Sequence, residues 1–312
     1  MRVAVLKGGR SFEREVSLHS GANVEAALTR LGHDVLPIDV DSALVRTLKA
    51  ERPDVAFIAL HGIGGEDGTV QELLEILEIP YTGSGVLACR RSMDKVVAKS
   101  FFVAADIPTP EFIAFSQGAF RELGAADALA EVEERLGLPI VVKPAKQGSA
   151  LGISIVRDPA RLPPALMTAL SFDDRVLLEQ FVPGRELAIS ILGEKTPVTL
   201  PPVEPVPIDR DFYDFEARYT PGLTELRVPA DLPPETTEEA ERLALGCFTT
   251  IGCRGLGRVD MILDGDDRLW VLELNAIPGM TDTSLLPAAA EAAGMGFDDV
   301  VARVLAEAAL GP

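Results

Sequence analysis

Cysteine is scarce in this sequence: Cys89, Cys247 and Cys253 are the only three in 312 residues. Their number is odd and the closest pair is too widely spaced for a CxxC motif, which disfavours a disulfide framework, a thioredoxin-like redox site and a cysteine zinc site. Three reduced, buried thiols are expected. Long apolar runs are absent as well. No stretch approaches the ~18 residues of a membrane span. The run Val3 to Leu6 near the start stops at Lys7, too short for a signal-peptide core, so a cytoplasmic protein without a membrane partner is expected. Basic residues are in deficit: 29 Lys+Arg stand against 48 Asp+Glu, a formal net charge of −19. The resulting field repels polyanions and disfavours a nucleic-acid partner. The Walker A pattern GxxxxGK[ST] does not occur, which argues against a P-loop. Internal repeats and low-complexity tracts are also missing.

What is present is an ordinary globular composition, 47% hydrophobic and 25% charged, with length for about two domains at roughly 150 residues each. Over the first third, apolar runs alternate with amphipathic stretches in the βαβ manner. Strands are expected over Arg2 to Leu6, Asp34 to Val40 and Val55 to Leu60, and helices over Glu13 to Leu31, Leu44 to Lys49 and Thr69 to Leu77. From about Arg91 the rhythm changes. The pattern predicts a helix over Met93 to Ala105, a strand after Pro110, a helix over Ala126 to Leu136 and the apolar run Pro139 to Lys143. A glycine-bearing loop, Gly148 to Gly152, then leads into the alternating run Ile153 to Val156, making a strand-loop-strand. Strands dominate past Val176, interrupted by the proline-rich Pro201 to Pro207 and by the polar stretch Ile208 to Gly222, a loop long enough to be functional. Helices return over Thr236 to Thr250 and from Ser284.

Gly8-Gly9 can bring backbone N–H groups and a helix N-terminus to a small anion, or serve only as a tight turn. A GxGxxA match at Gly83, Gly85 and Ala88 follows Pro80, which leaves little room for a strand, so it reads as a turn and not as a dinucleotide fingerprint. Lys143, five residues before Gly148, offers an ammonium beside free N–H donors to a polyphosphate. A surface lysine next to a hairpin turn accounts for that segment equally well, and Lys95, at a helix start, has the same two readings.

The most informative stretch is Gly257 to Gly279. Alternating runs Arg258 to Leu263 and Leu269 to Asn275 flank Asp264-Gly265-Asp266-Asp267, a strong hairpin signal. A symmetric hairpin without a bulge pairs Val259 with Leu274, Met261 with Leu272 and Leu263 with Trp270 on an apolar face. The other face pairs Asp260 with Glu273 and Arg258 with Asn275. Two carboxylates directly opposite each other repel unless a cation lies between them. Asp260, Glu273 and the Asn275 amide make an all-oxygen set that suits Mg²⁺, with positions left for water and phosphates. Arg258 beside them can hold a phosphate or a developing oxyanion. A solvated hairpin end with an Arg–carboxylate pair is the other reading; the apolar face and the continuation into Asn275-Ala276-Ile277-Pro278-Gly279 favour the metal.

With these residues in view, the chain resembles the D-alanine:D-alanine ligases of the ATP-grasp superfamily. The resemblance rests on blocks that come in the family's order over nearly the whole chain. They are Gly8-Gly9 with Glu13 to Ser17, His61 to Gly68, Tyr81 to Gly85, Ser92 to Lys95, Lys143-Pro144 with Gly148-Ser149, Phe212 to Tyr219, Gly257 to Asp260, Glu273 to Asn275 and Pro278 to Thr281. It implies an α/β fold: an N-terminal βαβ, Rossmann-like substrate domain (1–92) followed by a two-part ATP-grasp fold. The central part would span 93–178 and the C-terminal part 179–312, with a lid loop at about 205–222. It also implies the reaction, two D-alanines plus ATP giving D-alanyl-D-alanine, ADP and phosphate through a D-alanyl phosphate, for the cell wall. A homodimer is implied too.

Carried over residue by residue, the resemblance assigns Lys95 and Lys143 to the ATP phosphates, Glu179 to the adenine amino group and Glu186 to the ribose. Asp260, Glu273 and Asn275 would ligate two Mg²⁺ or Mn²⁺. Glu13 would pair with the first D-alanine's ammonium in a group completed by Ser149 and Tyr219, the tyrosine delivered by the lid. Arg258 and the Gly279 N–H would stabilise the oxyanion, and Ser284 with the Leu285 N–H would bind the second carboxylate. The sequence departs from the family in four places: Arg218 where lysine is usual beside the lid tyrosine, Ala150 after Ser149, Ala276-Ile277 before the proline, and Gln180 beside Glu179. Arg218 keeps the charge for phosphate contact but replaces a point ammonium with a planar fork. Tyr219 favours the dipeptide, since D-lactate-accepting relatives lack a tyrosine there. A catalytically silent nucleotide-binding regulator would have lost a metal ligand or Arg258, and all are present. The named charged residues sum to a formal −1, so entry of polyanionic ATP is expected to depend on the divalent cations.

Overall fold

The run Val3-Ala4-Val5-Leu6 is apolar without alternation, as a strand covered on both faces requires. In the computed structural model, which describes residues 1–193, 195–208, 213–220 and 222–311, all four side chains are fully buried. They lie in β1 (Arg2–Lys7), which is followed by α1 (Arg14–Arg30), β2 (Asp34–Asp39), α2 (Leu44–Glu51), β3 (Val55–Ile58) and α3 (Thr69–Ile76). The sheet is parallel, in the order β2-β1-β3. β1 and β3 therefore end side by side, at Gly8-Gly9 and just short of His61, the edge where open α/β sheets place their ligands.

A helix that the sequence pattern does not signal, α4 (Val86–Met93), directly precedes α5 (Lys95–Ala104), the helix expected over Met93 to Ala105. Asp94 separates them: its extended backbone ends the first helix, and its carboxylate caps the second by accepting from the N–H groups of Val96 and Val97. The GxGxxA segment is a turn that opens α4.

The second sheet is built from β4 (Phe112–Ser116), α6 (Gln117–Glu122), α7 (Leu129–Leu136), β5 (Ile140–Pro144), β6 (Ser154–Val156), α8 (Leu162–Leu170) and β7 (Arg175–Gln180). Its order is β4-β7-β5-β6, antiparallel throughout, and β5 and β6 are the strand-loop-strand around Gly148. The helix expected from Ala126 begins at Leu129, after a 3₁₀ turn. Sequence pattern gave no sign of α8, whose first turn holds Pro163 and Pro164 where a missing N–H is harmless.

The remainder comprises β8 (Gly184–Leu192), β9 (Val198–Thr199), β10 (Glu204–Pro207), α9 (Phe215–Tyr219), β11 (Thr224–Arg227), α10 (Pro234–Ile251), β12 (Leu256–Asp264), β13 (Leu269–Asn275), α11 (Leu285–Ala292) and α12 (Phe297–Ala306). The third sheet has the order β13-β12-β8-β9, and β10 and β11 form a separate ribbon. The stretch expected as a loop from Ile208 to Gly222 contains α9, capped by the Asp214 carboxylate. Phe212, with the rest of 209–212, and Pro221 lie outside the described residues.

The last helices return to the first sheet: Val24 and Leu28 of α1 share a core with Val300, Val301 and Val304 of α12. Each such buried side chain contributes about 1.5–3 kcal/mol. This packing holds the N-terminal sheet against the end of the chain that also carries Gly279 and Ser284. Cys89 and Cys247 are buried free thiols, whereas Cys253 is only partly buried because it lies in the turn past Gly252, where α10 ends.

Candidate active site

The hairpin β12-β13 pairs at its open end as the alternation predicts: Arg258 with Asn275, Val259 with Leu274, Asp260 with Glu273. Beyond Asp260 the expected register fails. A bulge pairs Met261 with Val271 and Leu263 with Leu269, not with Leu272 and Trp270. The extra residue is Leu272, which turns away from the apolar face and lines a slot between the two antiparallel sheets. Trp270 instead donates its indole N–H to Asp264 at 2.8 Å.

That slot is walled by Val141, Ile153 and Ile155 on one side and Ile262 and Leu272 on the other, with Phe181 at the turn joining the sheets. Charged groups complete its lining: Lys143, Glu179, Glu186, Arg218, Asp260 and Glu273. An apolar space with charged groups along its lining fits a heteroaromatic base carrying phosphates. The adjoining cavity is lined by Glu13, Lys95, Ser149, Tyr219, Arg258, Asn275, Gly279 and Ser284, and it shares Arg218 and Glu273 with the slot. Every candidate residue thus lines one of two adjoining spaces.

Three distant segments meet in the second cavity. Ser149 Oγ donates to Glu13 Oε1 in a short contact and lies 2.7 Å from the Tyr219 hydroxyl. Gly148 makes the approach feasible, since a Cβ there would sit 2.9 Å from Glu13 Oε2. Ser149 and Ala150 hold left-handed backbone, φ 53° and 59°, which turns the serine toward Glu13. Burial and neighbouring Glu66 raise the Glu13 pKa, against the opposing hydrogen bond from Ser149. Neither Glu13 nor Ser149 acts as a side-chain helix cap.

Lys143 is buried, not a surface lysine, and donates to Glu179 Oε1 at 2.8 Å. The other oxygen of Glu179 lies 2.5 Å from Lys99 Nζ. Burial would raise the Glu179 pKa, but the two ammoniums hold it below the usual value. Burial also pulls Lys99 down to about 8, against the attraction of Glu179. Lys99 escaped the sequence reading, although it follows Lys95 by four residues and so shares its helix face. Lys95 is equally buried, donating to the Gln147 carbonyl at 2.6 Å and pairing with Glu273 at 3.2 Å.

Arg258 grips Asp260 through two hydrogen bonds of 2.6 and 2.8 Å, so the Arg–carboxylate pair exists, buried and not solvated. Despite burial, Lys95, Lys143, Arg218 and Arg258 lower Glu273 to about 2. Asn275 Oδ1 accepts from Ile277 N at 3.0 Å. The donor set, two carboxylates and an amide oxygen with cations already clustered about them, fits a hard divalent cation. Among the described residues no group of three or more His, Cys, Asp or Glu gathers for a metal. With two carboxylates only, a cation here needs the amide and substrate oxygens.

Arg218 lies against the Tyr213 ring, 4.5 Å from its centroid, and 3.5 Å from Glu186. Burial, partly offset by Arg218, raises Glu186 to about 7. The guanidinium is thus held over the Tyr213 ring within cation–π range. Ser284 Oγ accepts from Thr281 N at 2.9 Å and makes no side-chain cap for α11, leaving the first N–H groups of that helix open. His61 is buried, 2.9 Å from Ser20 Oγ through Nε2.

Two antiparallel sheets closing on an apolar slot lined at intervals by charged groups, with a Rossmann-like domain contributing Glu13 to the adjoining cavity, define an ATP-grasp enzyme. Family models described as "D-ala D-ala ligase C-terminus" and "D-ala D-ala ligase N-terminus" match residues 101–306 and 43–84. The chain is 46% identical over 305 residues to the D-alanine–D-alanine ligase of Moorella thermoacetica, covering 98% of both chains. It is likewise 46% identical over 307 residues to that of Carboxydothermus hydrogenoformans, covering 98% of this chain and 97% of that one. The crystal structure of the Bacillus anthracis D-alanine–D-alanine ligase complexed with ATP superimposes with a TM-score of 0.82 at 34% identity, over 98% of this chain and 97% of that one. The chain belongs to the D-alanine–D-alanine ligase family.

Proposed function

We propose that this protein joins two D-alanines to D-alanyl-D-alanine, converting ATP to ADP and phosphate through a D-alanyl phosphate, and so supplies peptidoglycan precursor synthesis. The observation that carries this reading is the meeting of Glu13, Ser149 and Tyr219 in one cavity with Arg258, Gly279 and Glu273. It gives one amino acid an anionic seat for its ammonium within reach of a phosphate-transfer site.

A carboxylate is a poor electrophile, and its attack on the γ-phosphate forms the acylphosphate while ADP departs. Lys95 and Lys143, already buried and charged, hold the phosphates, and Arg218 adds a third cation from α9. Phosphoryl transfer of this kind is mostly positioning and charge neutralisation. Glu179 accepts from the adenine amino group and Glu186 from the ribose. Asp260, Glu273 and Asn275 would hold two Mg²⁺ or Mn²⁺, which supply charge neutralisation at the transferring phosphate when bound. The second D-alanine lies with its carboxylate at Ser284 and the Leu285 N–H, a helix start with open donors. Its amine attacks the acyl carbonyl, Arg258 and the Gly279 N–H stabilise the oxyanion, and phosphate leaves. Tyr219 and Ser149 close over the intermediate and exclude water, with 205–222 serving as the lid.

The three sheets support a division into N-terminal (1–92), central (93–178) and C-terminal (179–312) parts, although the second boundary so drawn falls two residues short of the end of β7. A homodimer in the cytoplasm is the assembly we propose. No described helix is long and apolar enough to cross a membrane. The test of function is ADP release with D-alanine as sole amino acid, with the dipeptide identified by mass spectrometry. Turnover that requires D-lactate beside D-alanine overturns the reading.

A further inference from the structure

Ser20 is fully buried on α1, and its hydroxyl is not bonded back into its own helix, the usual resting place of a helical serine. It faces across the domain boundary. Ser20 Oγ accepts from the Met280 N–H at 3.2 Å, which leaves its proton to face His61 Nε2 at 2.9 Å. One turn further along the same helix face, Asn23 Nδ2 donates to the Met280 carbonyl at 3.1 Å and to Asp282 Oδ1 at 3.1 Å. A single helix therefore holds both the N–H and the C=O of Met280, some 260 positions away in sequence.

Met280 follows Gly279, whose N–H is the proposed oxyanion donor. Glycine has little intrinsic backbone preference, and a Cβ on Gly279 would stand 2.7 Å from Ser284 Oγ, so a side chain here would displace that hydroxyl. On the preceding side Pro278 has a fixed φ. On the following side a local turn holds Thr281, whose N–H donates to Ser284 Oγ at 2.9 Å, and Met280 itself is held by the grip of α1. The direction of the Gly279 N–H is then set jointly by the proline ring before it and by α1 after it.

We infer that Ser20 and Asn23 are positioning residues that aim the Gly279 N–H at the tetrahedral oxyanion, acting through the Met280 peptide. The inference rests on the ligase reading above. It ties the helix whose start carries Glu13, the seat of the first amino acid, to the loop that serves attack by the second. A structural role alone would weaken both halves of the reaction together. A positioning role at the oxyanion weakens the second step more than the first, because the acyl oxygen takes up its full negative charge in the tetrahedral intermediate.

The test separates the halves in the full-length protein. ATP labelled with ¹⁸O in the β,γ-bridge reports reversible acylphosphate formation by scrambling of the label, and dipeptide formation reports the second step. In Ser20→Ala the ratio of scrambling to dipeptide formation is expected to rise about tenfold, a loss below that of deleting an oxyanion donor outright, with KM for ATP unchanged. Asn23→Ala, at a half-buried position, is expected to move the ratio in the same direction by a smaller factor. A ratio equal to that of the unsubstituted protein in both variants overturns the inference, whether both rates fall or neither does. Absence of dipeptide from the unsubstituted protein overturns the ligase reading itself, a distinct outcome.

Discussion

The hydroxyls of Ser149 and Tyr219 lie 2.7 Å apart, although one belongs to the glycine loop between β5 and β6 and the other to the last residue of α9. With Glu13 on the far side of Ser149, the contact joins all three parts of the chain over one cavity. That contact both shapes the seat of the first amino acid and closes it to water.

Tyr219→Phe keeps the ring and removes the hydrogen bond, a loss of about 1 kcal/mol in closure. Phosphate released per dipeptide, one in the intact protein if water is excluded, is expected to rise severalfold as the acylphosphate hydrolyses. A ratio that stays at one would show that the hydroxyl has no part in sealing the site.

Glu273→Gln preserves shape and removes a charge that its cationic neighbours keep ionised down to about pH 2. Turnover should fall by at least ~10²-fold with Mg²⁺ present. The variant should stay folded but lose about 2–3 kcal/mol of stability, because buried Lys95 loses its counter-charge. Chelation of the divalent cation should abolish turnover of the unsubstituted protein. Unchanged rates in the variant would refute the metal assignment.

Glu179 sits between two buried ammoniums, which makes an ordering of stabilities predictable. Glu179→Gln strands Lys99 and Lys143 without a counter-charge and should cost about 3–5 kcal/mol in urea unfolding. Lys99→Met leaves a neutral Lys143–Glu179 pair and should cost less, about 1.5–3 kcal/mol. Because the Glu179 pKa is lowered, its contribution is present above the ordinary carboxylate value and is lost as pH falls through the lowered one. The reverse ordering of the two variants would show that the triad is not what holds this corner.

Glu13 titrates in the opposite sense. Its pKa is raised by burial and by Glu66, so the stability it contributes is complete below the ordinary carboxylate value and is lost as pH rises through the raised one. An ammonium binds only the ionised form. KM for the first D-alanine is therefore expected to climb on acidification below the raised pKa, and the climb should vanish in Glu13→Gln. A flat profile in the unsubstituted protein would remove Glu13 from the ammonium seat.

Much of the site was legible in the sequence because its key residues lie on one short hairpin. Cross-strand alternation alone placed Arg258, Asp260, Glu273 and Asn275 together, and the structure pairs them so. The same alternation failed past Asp260, because period-two reasoning carries no signal for the extra residue of a bulge, and the bulge is what sends Leu272 into the slot. Helix α4 was missed because the Gly83-Gly85 turn runs straight into it and Val86 to Met93 is too short for periodicity to show, whereas the helix start at Asp94-Lys95 was legible, and the Asp94 carboxylate caps Val96 and Val97 there. Lys99 and Ser20 were overlooked because a lysine and a serine on a helix read as surface residues, and only long-range packing shows them buried against Glu179 and Met280.

The central claim is tested most directly by product analysis with ATP, Mg²⁺ and D-alanine alone. The account predicts one ADP and one phosphate for each D-alanyl-D-alanine formed, and no dipeptide from L-alanine. ADP release that is absent with D-alanine alone and appears only when D-lactate is added would contradict it.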